Sequence, residues 1–331
     1  MLNGKTILIT GGTGSFGNHF VETVLKNYKP KKIIIYSRDE FKQFNMSNRF
    51  KEYKDVLRFF IGDVRDEDRL RRAMNGVDYV IHAAALKQVP ACEYNPNEAI
   101  KTNVNGAMNV INASLDAGVE KVVALSTDKA VNPINLYGGT KLVSDKLFTA
   151  ANAYSGGKKT RFSVVRYGNV AGSRGSVIPF FQQLIDKGET ELPITDFEMT
   201  RFWISLDQGV ELVIKALAES RGGETFISKI PSFKITDLAK AMKEDCELKE
   251  VGIREGEKLH EIMITAEDSM RTYEYDEHYI IYPHYDWWDS EDIIPGGKLV
   301  ERGFAYSSGT NKHFLTVAEL REKLKTDLDR Y

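Results

Sequence analysis

Seven residues near the start of the chain constrain its fold more than any other feature. An apolar run, Thr6–Thr10, leads directly into Gly11-Gly12-Thr13-Gly14-Ser15-Phe16-Gly17, and Phe16, Phe20, Val21 and Val24 then recur at helical spacing. A strand, a glycine-rich turn and an amphipathic helix in that order suit a dinucleotide: the glycines let the backbone approach a pyrophosphate, and amides at the helix N-terminus hold its charge. The run satisfies GxxGxxG from Gly11 and GxGxxG from Gly12. A tight turn with packing glycines would read the same, and it is the place between strand and helix that selects the binding reading. Gly11, Thr13, Gly14, Ser15, Phe16 and Gly17 are the first candidate cofactor residues.

The same alternation continues. Apolar, β-branched runs at 32–36, 58–62, 79–83, 121–127 and 162–166 are separated by amphipathic stretches, among them Ala107, Val110, Ile111 and Ala113. Strands apolar on both sides belong to a parallel sheet covered by helices. The expected fold is α/β, a Rossmann-like doubly wound parallel sheet over 1–168, with a smaller, mixed substrate domain over 169–331. A strand near 224–228 is expected to return to the first sheet. Segment 273–303 is acidic and aromatic, carries Trp287-Trp288, and reads equally as an exposed cover, a subunit contact or a substrate wall.

Charge limits the partners. Lys and Arg number 45 against 47 Asp and Glu in 331 residues, a net charge of -2, which leaves no footprint for nucleic acid or for a polybasic membrane arm. Two distant cysteines, Cys92 and Cys246, argue against disulfides and a zinc site, so no metal is expected. With no signal-peptide layout and no run of about eighteen apolar residues, a cytoplasmic protein is expected. Sheet-and-helix dehydrogenases commonly pair through helices, so a homo-oligomer is expected as well.

Further candidates lie at the strand ends. After the second strand come Ser37, Arg38 and Asp39, with Lys42 close by; a cation and a hydroxyl there suit the 2′-phosphate of NADP, while Asp39 keeps NAD open. Asp63 and Val64 follow the third strand, and Ala83 and Ala84, with Lys87 beyond, follow the fourth. The strand ending in Ser126-Thr127 runs into Asp128-Lys129, and Tyr137 and Lys141 stand four apart on the next helix. On one helix face the ammonium can lower the phenol pKa, making Tyr137 a candidate general base for an alcohol.

Together these residues resemble the extended short-chain dehydrogenase/reductases that act on nucleotide sugars. A lysine after Thr127-Asp128, with Ala83-Ala84-Ala85-Leu86-Lys87-Gln88-Val89-Pro90 and Asn132-Pro133-Ile134-Asn135-Leu136-Tyr137, is similar to the inverting UDP-N-acetylglucosamine 4,6-dehydratases of pseudaminic acid synthesis. Tyr137 separates it from a capsule-type group that often has methionine there. The similarity runs to about Ile264 through Arg166–Val170, Gly172–Pro179, Pro193–Asp196, Met199–Trp203 and Arg254–Glu261; Glu255 departs from the proline common there.

The resemblance implies tightly bound, recycled NADP, UDP-N-acetylglucosamine as substrate, and catalysis by Thr127, Asp128, Lys129, Tyr137 and Lys141. Lys129, kept neutral by burial and the Lys141 field, would be the base at carbon 5, and protonated Asp128 would help water leave carbon 6. Replacing Lys129 by Met is then expected to stop exchange at carbon 5 with the fold intact. Lys87, Asn169, Arg174, Val177, Thr195, Arg201, Arg254 and Glu257 are the implied substrate residues, with Arg201 and Arg254 suited to a diphosphate. A UDP-sugar 4-epimerase and a non-catalytic NADP-binding sensor are the competing readings. His82 and His260 read as structural.

Overall fold

The computed structural model describes residues 1–157, 159–172, 176–289, 291 and 293–328. Six strands form the heart of a ten-stranded sheet: β1 (Thr6–Thr10), β2 (Lys32–Ser37), β3 (Leu57–Ile61), β4 (Tyr79–His82), β5 (Lys121–Thr127) and β6 (Arg161–Tyr167). They run parallel in the order β6-β5-β4-β1-β2-β3. Every residue of β1 is buried. Its side chains alternate between faces, Ile7 and Ile9 packing with Phe20, Val21 and Val210 on one side and Leu8 with Val110 and Ile111 on the other. Each such side chain contributes about 1.5–3 kcal/mol on burial, so a shift of register by one residue would forfeit both cores at once.

Beyond β6 the second half rejoins the sheet. Thr225–Ser228 pairs parallel to β6, His278–Ile281 antiparallel to that strand, then Thr272–Glu274 and the short Lys298–Leu299. The helix Leu206–Glu219 packs on the helix Ser15–Asn27. Segment 273–303, left open among three readings by the sequence, thus contributes 273–274, 278–281 and 298–299 to this side of the sheet. The His278 ring lies between Phe226 and Tyr275, and the Tyr275 and Tyr282 hydroxyls meet at 2.8 Å. Aromatic rings supply the apolar area that a short edge strand lacks, while its acidic residues stay outward.

A smaller lobe has its own core of Ile178, Phe181, Leu192, Trp203, Phe233, Leu238 and Leu320. It holds three two-stranded sheets: Thr200–Phe202 with Ser232–Lys234, Glu191–Ile194 with Glu247–Glu250, and Ile262–Ile264 with Tyr306–Ser307. Among the described residues no helix is long and apolar enough to cross a membrane.

Candidate active site

A cavity of about 1020 Å³ opens at the carboxyl ends of the parallel strands, where open α/β sheets bind ligands. The sheet order reverses there, between β1 and β4. Gly11 takes φ +66°, and a Cβ on it would lie 2.9 Å from the Ala84 backbone. A Cβ on Gly17 would lie inside the Gly12 carbonyl. The helix Ser15–Asn27 is therefore drawn tightly against the turn. It starts at Gly14 with no side-chain cap, and residues 13–17 line the cavity. Uncapped amides at a positive helix end are the donor set a pyrophosphate takes.

At the next two strand ends the charges sort themselves. Asp39 caps the helix Glu40–Arg49 by accepting the Lys42 amide and pairs with the Lys42 ammonium at 2.8 Å. Hydrogen bonding from the Lys42 side chain, then from its amide, holds the Asp39 carboxyl below its usual range. Ser37 Oγ meets Thr13 Oγ1 at 2.9 Å, and Arg38 lies 3.6 Å from Asp63. Burial opposes ionisation of Asp63, yet Arg65 and Arg38 hold its carboxyl low. Ser37, Arg38, Asp39, Lys42, Asp63, Val64, Ala83, Ala84 and Lys87 all line the cavity.

Tyr137 and Lys141 follow one another by a turn on the helix Leu136–Ala150, capped by Asn135 through the Gly138 amide at 2.7 Å. Both are buried and both line the cavity, with Thr127 and Asn169. Burial pushes the Tyr137 phenol up to about 12, against the Lys129 ammonium and the Thr127 hydroxyl, which pull it down. The cation acting on the phenol here is thus Lys129. Burial lowers Lys141, and Asp145 opposes that.

Asp128 and Lys129 form a short turn behind Thr127. Asp128 is 1% exposed; its Oδ1 accepts from Thr127 Oγ1 at 2.9 Å and from Lys129 Nζ at 3.2 Å. Lys129 also donates to Glu261 Oε1 at 3.1 Å and to Asn169 Oδ1 at 3.3 Å. Glu261 is 2% exposed and lies 3.6 Å from Arg201 Nε. Burial and the Glu261 charge push the Asp128 carboxyl up, as a proton donor needs. Burial would lower the Lys129 ammonium, but Asp128 and Glu261 outweigh it and raise the group. The neutral Lys129 expected from the sequence is therefore corrected: between two carboxylates the ammonium form prevails in the free protein.

The other candidates are spread wider. Arg201 donates to the Thr200 and Leu259 carbonyls at 2.7 and 3.2 Å, so part of its guanidinium is already engaged away from any diphosphate. Arg254 is exposed on a loop whose Gly256 carbonyl accepts from Asn135 Nδ2 at 2.7 Å. Glu257 follows it, Thr195 follows the strand Glu191–Ile194, and Val177 opens the helix Val177–Asp186. None of these five is among the residues lining the cavity. Arg174 lies outside the described residues. His82 is buried with Nδ1 2.8 Å from Thr10 Oγ1, and burial pulls it down to about 3, so it is neutral. His260 Nδ1 is 2.8 Å from Thr200 Oγ1.

Sequence reasoning missed Glu261 and Asn103. The Asn103 side chain bonds the Leu86 amide and carbonyl, each at 2.8 Å, and the Thr140 hydroxyl at 2.9 Å, tying the loop after β4 to the helix that carries Tyr137. It sits in a widened, π-type turn, Lys101–Asn105, a geometry frequent at functional sites. Thr102 and Asn103 are buried polar residues within this helical stretch, and nothing in the sequence marks them.

The helix junction at Lys129 makes a direct prediction. A Cβ on Gly138 would lie inside the Lys129 carbonyl, whereas a Cβ on Gly139 meets nothing within 4 Å. Gly138→Ala should destabilise by about 1–3 kcal/mol and impair activity, and Gly139→Ala should stabilise by up to about 1 kcal/mol. Thermal unfolding of the pair checks this, and equal effects would refute the packing.

A glycine turn at the head of a Rossmann sheet, with a tyrosine and a lysine one helical turn apart across the cavity, defines a short-chain dehydrogenase/reductase of the extended type. Residues 7–283 match the model of the polysaccharide biosynthesis protein family, and the chain belongs to that family. A UDP-N-acetylglucosamine 4,6-dehydratase (inverting) of Campylobacter jejuni subsp. jejuni is 58% identical over 326 residues, 97% of either chain. A UDP-glucose 4-epimerase of Rickettsia canadensis is 43% identical over 336 residues, 97% of this chain and 96% of its own. The X-ray structure of Pen from Bacillus thuringiensis superposes with a TM-score of 0.88 at 38% identity, covering 98% of this chain and 99% of that one.

Proposed function

We propose that the chain is a UDP-N-acetylglucosamine 4,6-dehydratase that inverts carbon 5, forming UDP-2-acetamido-2,6-dideoxy-β-L-arabino-hexos-4-ulose as the first step of pseudaminic acid synthesis. The observation that carries it is the pair of buried Asp128 and half-buried Lys129 directly behind Thr127, an acid/base set that alcohol oxidation alone does not require. The 58% identity to a dehydratase of that name agrees.

NADP, tightly held and recycled, is the proposed cofactor; when bound, its nicotinamide supplies a hydride acceptor and donor. The glycine-turn amides hold its pyrophosphate, and Ser37 and Arg38 its 2′-phosphate, since Asp39 is already neutralised by Lys42. Lys141 holds the nicotinamide ribose. Tyr137, with Thr127 beside it, takes the proton of the sugar 4-hydroxyl. A 4-keto group acidifies the carbon-5 proton; Lys129 first passes its own proton to Asp128, 3.2 Å away, and as a neutral amine removes the carbon-5 proton, while Asp128, so protonated, gives that proton to the carbon-6 hydroxyl as it leaves as water. Residues 1–168 are assigned mainly to the cofactor and 169–331 mainly to the sugar nucleotide. Lys87, Asn169, Val177, Thr195 and Glu257 are its proposed contacts, and exposed Arg254 is better placed for the diphosphate than Arg201. A cytoplasmic homo-oligomer completes the reading.

Proton NMR of the purified protein with UDP-N-acetylglucosamine in deuterated water and no added cofactor tests this. Loss of water, with deuterium at carbon 5 and the L-arabino configuration, is expected. A product of unchanged mass and altered configuration at carbon 4 would make the chain an epimerase, the reading the Rickettsia relative favours. Arg38→Ala should cut the preference for NADP over NAD by about 10- to 100-fold, the worth of a charge-assisted phosphate contact. Dinucleotide released on denaturation and competition binding measure it; an unchanged ratio removes Arg38 from the phosphate.

A further inference from the structure

We propose that Glu261 is the positioning residue of Lys129: its carboxylate, fixed from the smaller lobe, holds the ammonium between itself and Asp128 and so sets where that group meets the sugar. The assignment rests on the dehydratase reading above. Glu261 lies 132 residues from Lys129 in sequence, and its backbone is pinned in both directions to Ser308. The Glu261 amide donates to Ser308 Oγ at 2.9 Å, and the Ser308 amide to the Glu261 carbonyl at 2.8 Å. Ser308 Oγ is in turn 2.8 Å from Thr200 Oγ1, beside Arg201. The carboxylate is thus placed by the smaller lobe, while its ligand, Lys129, belongs to the sheet.

A purely structural buried ion pair would satisfy all its oxygens, because a buried polar atom without a partner is costly. Here Asp128 Oδ2 and Glu261 Oε2 are buried and have no hydrogen-bond partner among the described residues. Each carboxylate holds Lys129 with one oxygen and keeps the other in reserve. The ammonium can then be handed between them without leaving the site. The groups that face Lys129 are Asp128 from its own turn, Tyr137 from the helix Leu136–Ala150, and Arg201, Lys258 and Glu261 from the smaller lobe. Of these, Asp128 and Glu261 favour its charged form and Arg201 disfavours it. Removing the Glu261 charge takes away one of the two carboxylates that favour the ammonium, and it also removes a charge that pushes the Asp128 carboxyl up.

The test uses full-length Glu261→Gln and Glu261→Asp, the second keeping the charge one methylene short. Acetic anhydride labelling of Lys129, read by peptide mass spectrometry against pH, should reach half-completion at least about one pH unit lower in E261Q, with E261D between it and the wild type. Solvent deuterium uptake at carbon 5 of UDP-N-acetylglucosamine should fall about 100-fold in E261Q, within the range of a lost acid/base contribution. Single-turnover absorbance change of the bound nicotinamide should stay within about threefold of the wild type, since Tyr137 and Lys141 are untouched. A labelling pH that does not move, or carbon-5 exchange at the wild-type rate, overturns the assignment. If the wild type itself does not dehydrate the sugar, the functional reading fails instead, and labelling alone decides whether Glu261 positions Lys129.

Discussion

Tyr137→Phe is expected to lower kcat by about 10³- to 10⁴-fold, the upper part of the range for a lost general base, with binding of the sugar nucleotide and the melting temperature nearly unchanged. The ring is buried against Cys92 and Ala99 and stays in place, so only the hydroxyl is lost. That hydroxyl sits where burial drives the phenol up to about 12 and the nearby Lys129 ammonium offsets part of the rise. How readily the phenol gives up its proton to become a base is therefore set in part by the charges on Lys129 and Asp128. A stopped-flow trace of nicotinamide absorbance should lose its first phase, because proton removal from the 4-hydroxyl accompanies hydride loss from carbon 4. A variant that retains this phase at the wild-type rate would transfer the base role to another group.

What the sequence made legible follows from how far apart the interacting residues lie. The six parallel strands and the glycine turn are local patterns, and each appears within two residues of its expected bounds. The cofactor-side candidates share one cavity because every one sits just past a strand end, and parallel strands bring those ends together. Segment 273–303 was opaque because an antiparallel strand of four residues, His278–Ile281, carries too little periodicity to separate from a loop. The charge on Lys129 was misjudged for a related reason. Burial alone argues for a neutral amine, and the carboxylate that reverses the argument arrives from the other lobe in a run, Lys258-Leu259-His260-Glu261, that assigns no partner to itself. Asn103 was lost in a helix whose widened turn has no sequence signature.

That correction changes what Lys129→Met should do. The variant should abolish deuterium entry at carbon 5, as the sequence suggests, but the structure adds a loss of stability of about 3 kcal/mol, the scale for breaking a buried ion pair from one side. In the wild type, Lys129 and Arg201 outweigh the cost of burial and hold the Glu261 carboxyl below its usual range. Its contribution is therefore present above the unfolded value of about 4.3 and is lost as pH falls through the lower folded value. Without Lys129, Asp128 and Glu261 share a buried site with Arg201 and the more distant Lys258 as the remaining cations, and two carboxyls so close push one of them above its unfolded value. Such a group stabilises the fold below about pH 4 and loses that contribution as pH rises through the raised value. The deficit in melting temperature relative to the wild type should then widen from pH 5 to pH 8, and Lys129→Met combined with Glu261→Gln should recover most of it without recovering exchange. Carbon 4 should also be oxidised more slowly than in E261Q, where Lys129 remains, because Tyr137 no longer faces the ammonium as it takes the 4-hydroxyl proton. A deficit that is the same at both pH values would show that Lys129 supports the fold by packing and not by charge.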